Sequence, residues 1–236
     1  MIHKKKAIKI NNNGIFTFVN GICEDQFVGY FHFNNGSFYS VNKDDVFDLA
    51  CDKNINGQGR ISLDYDNKNI HVSQTTSKKM VILLESPHIN EFNVQNKKYK
   101  TAPAWGKTGA RFNSFFIKIL NYNLKNIGNC FKNNDVIDVY FVNAIRYQCS
   151  LGISPINKSL RDFIFYALWD KQNDSFKDDL LERVQMIDPD YLIIAPTKNI
   201  KEKCFRSNPI PTSAGRPVFF TAETHPSCWN KNTTII

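Results

Sequence analysis

Residues 81–88 read Val-Ile-Leu-Leu-Glu-Ser-Pro-His, an unbroken apolar run that stops on a carboxylate and a proline. A strand that is apolar at every position, with no polar alternation, has to be covered on both faces, as in a parallel sheet between helix layers. Its carboxyl end then delivers Glu85 and His88 to the crevice where open α/β sheets bind ligands. Near the other end of the chain His225-Pro226-Ser227 follows a second short apolar run, Val218 to Thr221.

The pattern between these points is one of alternation. Met80 to Leu84 predicts a first strand. Ala110 to Leu124 carries Phe112, Phe115, Phe116, Ile119 and Leu120 at the spacing of an amphipathic helix. Val136 to Val142 predicts the next strand, Ser159 to Leu168 and Phe176 to Ile187 two helices, and Asp188-Pro189-Asp190 a stop before the buried strand Tyr191 to Ala195. Strands alternating with helices predict an α/β fold, a three-layer α/β/α arrangement with a central, mostly parallel sheet.

The stretch from 1 to 78 reads differently. Gly14 to Val19 and Phe27 to Phe33 are short and aromatic or β-branched, and Asn34-Asn35-Gly36 predicts a hairpin turn before Ser37 to Val41. Val46 to Ala50 predicts a helical turn and Arg60 to Tyr65 another strand, while the polar run Ser73 to Lys79 reads as a linker. Two units are therefore expected: a small β-rich module over 1–78 and an α/β domain over 79–236.

A formal charge of +8 on 236 residues points to an anionic partner, with nucleic acid the natural candidate. The basic start lacks a following apolar segment and no run reaches the length of a membrane span, so a cytoplasmic protein without membrane contact is expected. Six cysteines show neither a Cys-x-x-Cys nor a Cys/His spacing suited to metal, and no metal or other cofactor is expected. Gly106-Lys107-Thr108-Gly109 lacks the upstream glycine of a phosphate loop, whose place is taken by Thr101, which disfavours nucleotide hydrolysis.

In order, Leu84-Glu85-Ser86-Pro87-His88, Pro103-Ala104-Trp105-Gly106-Lys107-Thr108-Gly109, Tyr140-Phe141-Val142-Asn143 and His225-Pro226-Ser227 resemble the active-site motifs of the uracil-DNA glycosylase superfamily over residues 80 to about 231. The resemblance implies a monomeric DNA glycosylase that flips out a pyrimidine, hydrolyses its bond to deoxyribose and leaves an abasic site. Glu85 would stabilise the sugar cation or orient water, and His225 would donate to the departing base. Ser86, His88, Ala104, Trp105 and Asn143 would line the base site, with His88 a candidate helper for poorer leaving groups. Lys107, Arg111, Arg146, Ser227, Trp229 and Lys231 would face DNA, Trp229 as the wedge that fills the vacated space.

Each residue also has a plainer reading. Glu85 can cap the following segment, His225 can be a satisfied surface histidine, Asn143 can end a strand as asparagines often do, Trp229 can cover core, and Arg111, Arg146 and Lys118 can form a solvated face. Where the family commonly stacks a phenylalanine on the base, this chain has Ala104, which implies room for a bulky modified cytosine, such as the glucosylated hydroxymethylcytosine that bacterial antiphage glycosylases remove from viral DNA. Ordinary uracil is the next expectation. The position held by aspartate in the most active uracil enzymes is Ser86, so a silent protein that binds modified or damaged DNA stands as the alternative.

Overall fold

The computed structural model describes residues 22–40, 61–63, 65, 78–87, 104, 107–147, 149, 158–169, 176–205 and 217–236. Among the described residues seven strands lie in one mixed sheet: β1 (Gln26–Asn34), β2 (Ser37–Ser40), β3 (Ile61–Ser62), β4 (Lys78–Leu84), β5 (Asp135–Asn143), β6 (Tyr191–Ile194) and β7 (Val218–Thr221). The order is β2-β1-β5-β4-β6-β7, with β3 also paired to β1. The four strands β5-β4-β6-β7 are mutually parallel, and the hairpin joins them antiparallel along β5.

Among the described residues five α-helical segments accompany the sheet: α1 (Lys107–Tyr122), α2 (Leu124–Ile127), α3 (Lys158–Trp169), α4 (Phe176–Ile187) and the single turn α5 (Lys198–Ile200), which runs on into a π-helical turn over Lys201–Phe205; 3-10 turns lie at Gly128–Cys130 and Pro226–Cys228. Every residue from Met80 to Leu84 is buried, as a strand between two layers requires. Met80, Ile82 and Leu84 pack with Phe112, Phe116, Ile119 and Leu120 of α1. Val81 and Leu83 turn to the other face, where Ile164, Phe165 and Leu168 of α3 and Leu180, Val184 and Ile187 of α4 meet them. Helices thus cover both faces of β4.

β4 starts at Lys78, earlier than the apolar run, because Asp190 reaches across to it. Its carboxylate accepts from Lys78 Nζ at 2.9 Å and from the Lys79 amide at 3.0 Å. α4 stops where expected, with Asp188 in the left-handed conformation at φ 51° just past its end.

The described part of 1–78 differs from a separate β module. β1 pairs with β5 from Gln26↔Phe141 to Phe33↔Asp135, so the hairpin widens the central sheet rather than forming one of its own. The physical reason is the open edge of β5, whose backbone groups need partners once buried. Asn35 and Gly36 both have positive φ, as a two-residue hairpin loop demands, and the Asn121 side chain of α1 exchanges two hydrogen bonds with the Phe38 backbone. Within the expected Arg60 to Tyr65 strand Ile61–Ser62 pairs with β1, and Arg60 and Asp64 lie outside the described residues. Gly14 to Val19, Val46 to Ala50 and Ser73 to Ser77 lie outside the described residues.

Trp229 corrects the expectation of a DNA wedge. It is fully buried, stacked on Phe112 and Phe116 of α1, with its indole N–H donating to the Thr224 carbonyl at 2.9 Å. A residue that cements the last turn to α1 has no ring to offer a duplex. Trp229→Ala is expected to lower stability by about 3–5 kcal/mol in urea unfolding; a loss below about 1 kcal/mol would mean that the indole is not packed in the core.

Candidate active site

The chain leaving β4 leads to α1 on one face of the sheet. The chains leaving its neighbours β5 and β6 lead to the opposite face, where α3, α4 and Ile200, Cys204 and Phe205 pack. Where adjacent connections diverge in this way, a crevice opens beyond the carboxyl ends of the strands. Glu85 is the first residue past β4, and it stands at that divergence.

Glu85 is 7% exposed, and both carboxylate oxygens are engaged, one by a hydrogen bond and one by an ion pair. Oε2 accepts from the Thr197 amide, just after β6, at 3.0 Å, and Oε1 pairs with Arg161 Nη1 of α3 at 3.2 Å. The backbone is fixed as well, because the Glu85 carbonyl accepts from the Ile145 amide at 3.0 Å. Arg161 is itself anchored. Its Nε and Nη2 donate to Asp162 Oδ1 at 2.9 and 2.6 Å, and Nη2 reaches Thr197 Oγ1 at 3.2 Å. Asp162 in turn accepts from Asn199 Nδ2 at 3.2 Å.

His225 arrives from the other end of the chain. The loop after β7 is pinned by Lys201, whose Nζ donates to the Ala222 carbonyl at 2.6 Å and the Glu223 carbonyl at 3.2 Å. His225 then caps a 3-10 turn over Pro226–Cys228: the Ser227 amide donates to its Nδ1 at 3.2 Å, and the Ser227 hydroxyl lies 2.9 Å from the same nitrogen. A nitrogen that accepts from an amide carries no proton, so these bonds assign the ring as neutral with its hydrogen on Nε2. The electrostatics agree. Burial lowers the imidazole pKa below its ordinary value; the nearby Glu85 carboxylate raises it in opposition, and the Arg161 charge lowers it further. His225 is therefore within electrostatic reach of the Glu85–Arg161 pair.

Ser86 is half-buried beside Cys149. Burial pushes the Cys149 thiol up to about 12, with the Ser86 hydrogen bond opposing, Glu85 adding and Arg161 opposing, so it stays protonated and unreactive at neutral pH. Tyr166, one turn beyond Asp162 on α3, has its phenol pKa raised by burial and then by Asp162, and Lys203 Nζ sits 3.8 Å from the centre of its ring.

Asn143 ends β5 level with Leu84 and is 1% exposed. Its Nδ2 lies 3.7 Å from Cys23 Sγ, and its Oδ1 is buried with no hydrogen-bond partner among the described residues. Strand alternation places it on the α1 side with Phe141, whereas Arg161 holds Glu85 from α3. Asn143 is thus near in register, yet it belongs to the other face. Ala104 is fully buried in the α1-side core at φ 56°. Ser227 is committed to His225. Arg111 is exposed over the Phe115 ring at 5.5 Å, Lys118 approaches the same ring at 6.0 Å, and Lys231 lies on an exposed turn. Lys107 opens α1. His88 and Trp105 lie outside the described residues.

Arg146 departs from the expected DNA-facing role. It is buried and its Nη2 pairs with Asp179 at 2.9 Å, because the segment after β5 turns inward to meet α4. Asp179 also holds Arg183, which pairs with Asp25, so Arg146 is one end of an internal charge network.

Compared with known proteins, the chain matches no family model, no curated protein and no solved structure. Among the described residues no group of three or more histidine, cysteine or acidic side chains is placed to hold a metal ion. Sequence reasoning missed Arg161, Asp162 and Thr197. The only signal was the adjacent Arg-Asp pair on a helix that is otherwise largely apolar.

In an NMR titration His225 is expected to protonate below the ordinary histidine range, with Glu85→Gln lowering it further. The unfolded chain binds the proton first. This histidine therefore contributes nothing to pH dependence above the ordinary range, and its contribution to stability is lost as pH falls from there through the folded value. A titration at or above the ordinary value would contradict the burial of the ring beside Arg161.

Proposed function

We propose that this protein is a DNA glycosylase that hydrolyses the N-glycosidic bond of an everted pyrimidine in the cytoplasm and leaves an abasic site. One arrangement carries the reading: a buried carboxylate follows the first parallel strand, held by Arg161 and the Thr197 amide, and an imidazole that feels its charge caps the carboxy-terminal 3-10 turn. Breaking an N-glycosidic bond develops positive charge on the sugar and negative charge on the base, and the two groups suit the two ends.

Glu85 supplies the anion for the sugar and orients the attacking water. Although both its oxygens hold donors, a carboxylate has about four lone-pair sites, so acceptor capacity remains for water. His225 supplies the donor. A neutral ring with hydrogen on Nε2 offers a hydrogen bond to the departing base without surrendering a full proton, which fits a base that leaves as an anion. No cofactor is needed for this hydrolysis.

The formal charge of +8 supports a polyanionic partner, with Arg111 and Lys231 the exposed cations among the expected contacts. Flipping costs a few kcal/mol, which backbone contacts must offset. Ala104 is buried in the α1-side core and does not line the site, so the preference for a bulky modified cytosine over uracil rests on the motif resemblance alone. A silent reader of modified DNA is favoured by one specific observation, the engagement of both Glu85 oxygens.

Duplexes carrying uracil, hydroxymethylcytosine and glucosylated hydroxymethylcytosine, incubated with protein and cleaved with alkali, test the reading. Strand cutting at the bulky base is expected, and Glu85→Gln should slow it by about 100-fold or more while DNA binding persists. Cutting of uracil alone would remove the bulky-base assignment. Binding with no cutting of any duplex would leave the silent reader as the better account.

A further inference from the structure

We propose that Arg161 is a positioning residue of the excision site, holding the Glu85 carboxylate in one orientation from α3 so that its remaining lone pairs face the crevice. The inference rests on the glycosylase reading and adds a residue to it. Its basis is a closed circuit of three elements. Arg161 Nη1 meets Glu85 Oε1 at 3.2 Å, Arg161 Nη2 meets Thr197 Oγ1 at 3.2 Å, and the Thr197 amide returns to Glu85 Oε2 at 3.0 Å.

A carboxylate held through one oxygen turns about its last bond; one held through both does not. The circuit therefore fixes the plane of the Glu85 carboxyl group, and with it the place of an attacking water. Only arginine closes it. The guanidinium is a rigid fork, and here Nε and Nη2 hydrogen-bond Asp162, Nη2 also reaches Thr197 and Nη1 forms the ion pair with Glu85, a span that a single ammonium cannot match.

The charge count explains why such a cation does not quench the site. Arg161 is shared between Glu85 and Asp162, so the three side chains carry two negative charges and one positive. A net anion remains beside the developing sugar cation. The guanidinium also acts on His225, favouring the neutral ring that donates through Nε2. Among the described residues, the other titratable or charged groups near the cluster include Cys149 after β5, Tyr166 on α3, and Lys201, Lys203 and Cys204 on the turn after α5.

The test is a double-mutant cycle on excision kinetics, with His225 titration as a readout that needs no turnover. Arg161→Gln is expected to lower kcat by about 100-fold with KM for the duplex unchanged, the scale of an angstrom of misplacement. Arg161→Lys should recover only part of this loss. In a Glu85→Gln background Arg161→Gln should cost no further rate, since nothing is left to position. The His225 titration should move up in Arg161→Gln.

An equal rate loss in both backgrounds, a change confined to KM, or an unmoved His225 titration would overturn the proposal. If the wild-type protein cuts no duplex, the glycosylase reading fails, and the His225 titration alone decides whether Arg161 orders the cluster. If Arg161→Gln fails to fold, Thr197→Val removes one leg of the circuit. It should then give a smaller loss of the same kcat-only kind, and wild-type kinetics there would count against the circuit.

Discussion

A buried carboxylate at the end of a buried strand has to be met by partners, and much of the candidate site follows from how Glu85 is met. An unpaired anion there would cost several kcal/mol, more than a single exposed contact returns. The chain answers with one charged donor from α3 and one amide from the turn after β6, thereby tying together elements on both sides of the divergence in the sheet. The same contacts that make the buried charge tolerable also fix its orientation. Stability and the proposed chemistry make the same demand at this residue.

A second buried charge system supports the strand next door. Asp25 and Arg183 are both fully buried and pair directly; Asp25 also accepts from Tyr65 Oη at 2.8 Å and from the Asn143 amide at 3.2 Å. Arg183 Nη2 donates to the Asn143 carbonyl at 3.0 Å. Burial works against the charge on Arg183, but Asp25 and Asp179 overcome it and raise its pKa. The backbone at the end of β5 is thus held on both sides, and the segment ahead of the hairpin is built into the domain rather than resting beside it. Breaking a pair of this kind by removing one partner typically costs about 3–5 kcal/mol.

The parallel strands and their helices were legible because each is a local pattern. Apolar runs mark β4 and β7, helical spacing marks α1, and α4 ends at Asp188-Pro189 where its pattern ends. Glu85 and His225 were legible because strand ends and proline breaks are local too. The rest is tertiary. Nothing near Gln26–Asn34 says that it pairs with β5, and no local pattern distinguishes Arg161, which holds Glu85, from Arg146, which holds Asp179. Trp229 shows the limit of spacing as evidence, since its distance from His225 suits a wedge equally well as a lid over Phe112 and Phe116.

The proposed role of Glu85 is to present a fixed negative charge to a sugar that becomes positive, whatever base is removed. Its most direct measurement is the affinity of the protein for two duplexes that differ only at one abasic position, one bearing a cationic pyrrolidine ring and the other a neutral tetrahydrofuran ring. Transition-state mimics bind at least about 100-fold tighter than ground-state ligands. The account predicts a preference of that order for the cationic duplex, abolished by Glu85→Gln. Equal affinities in the wild-type protein, or a preference that survives the substitution, would contradict it.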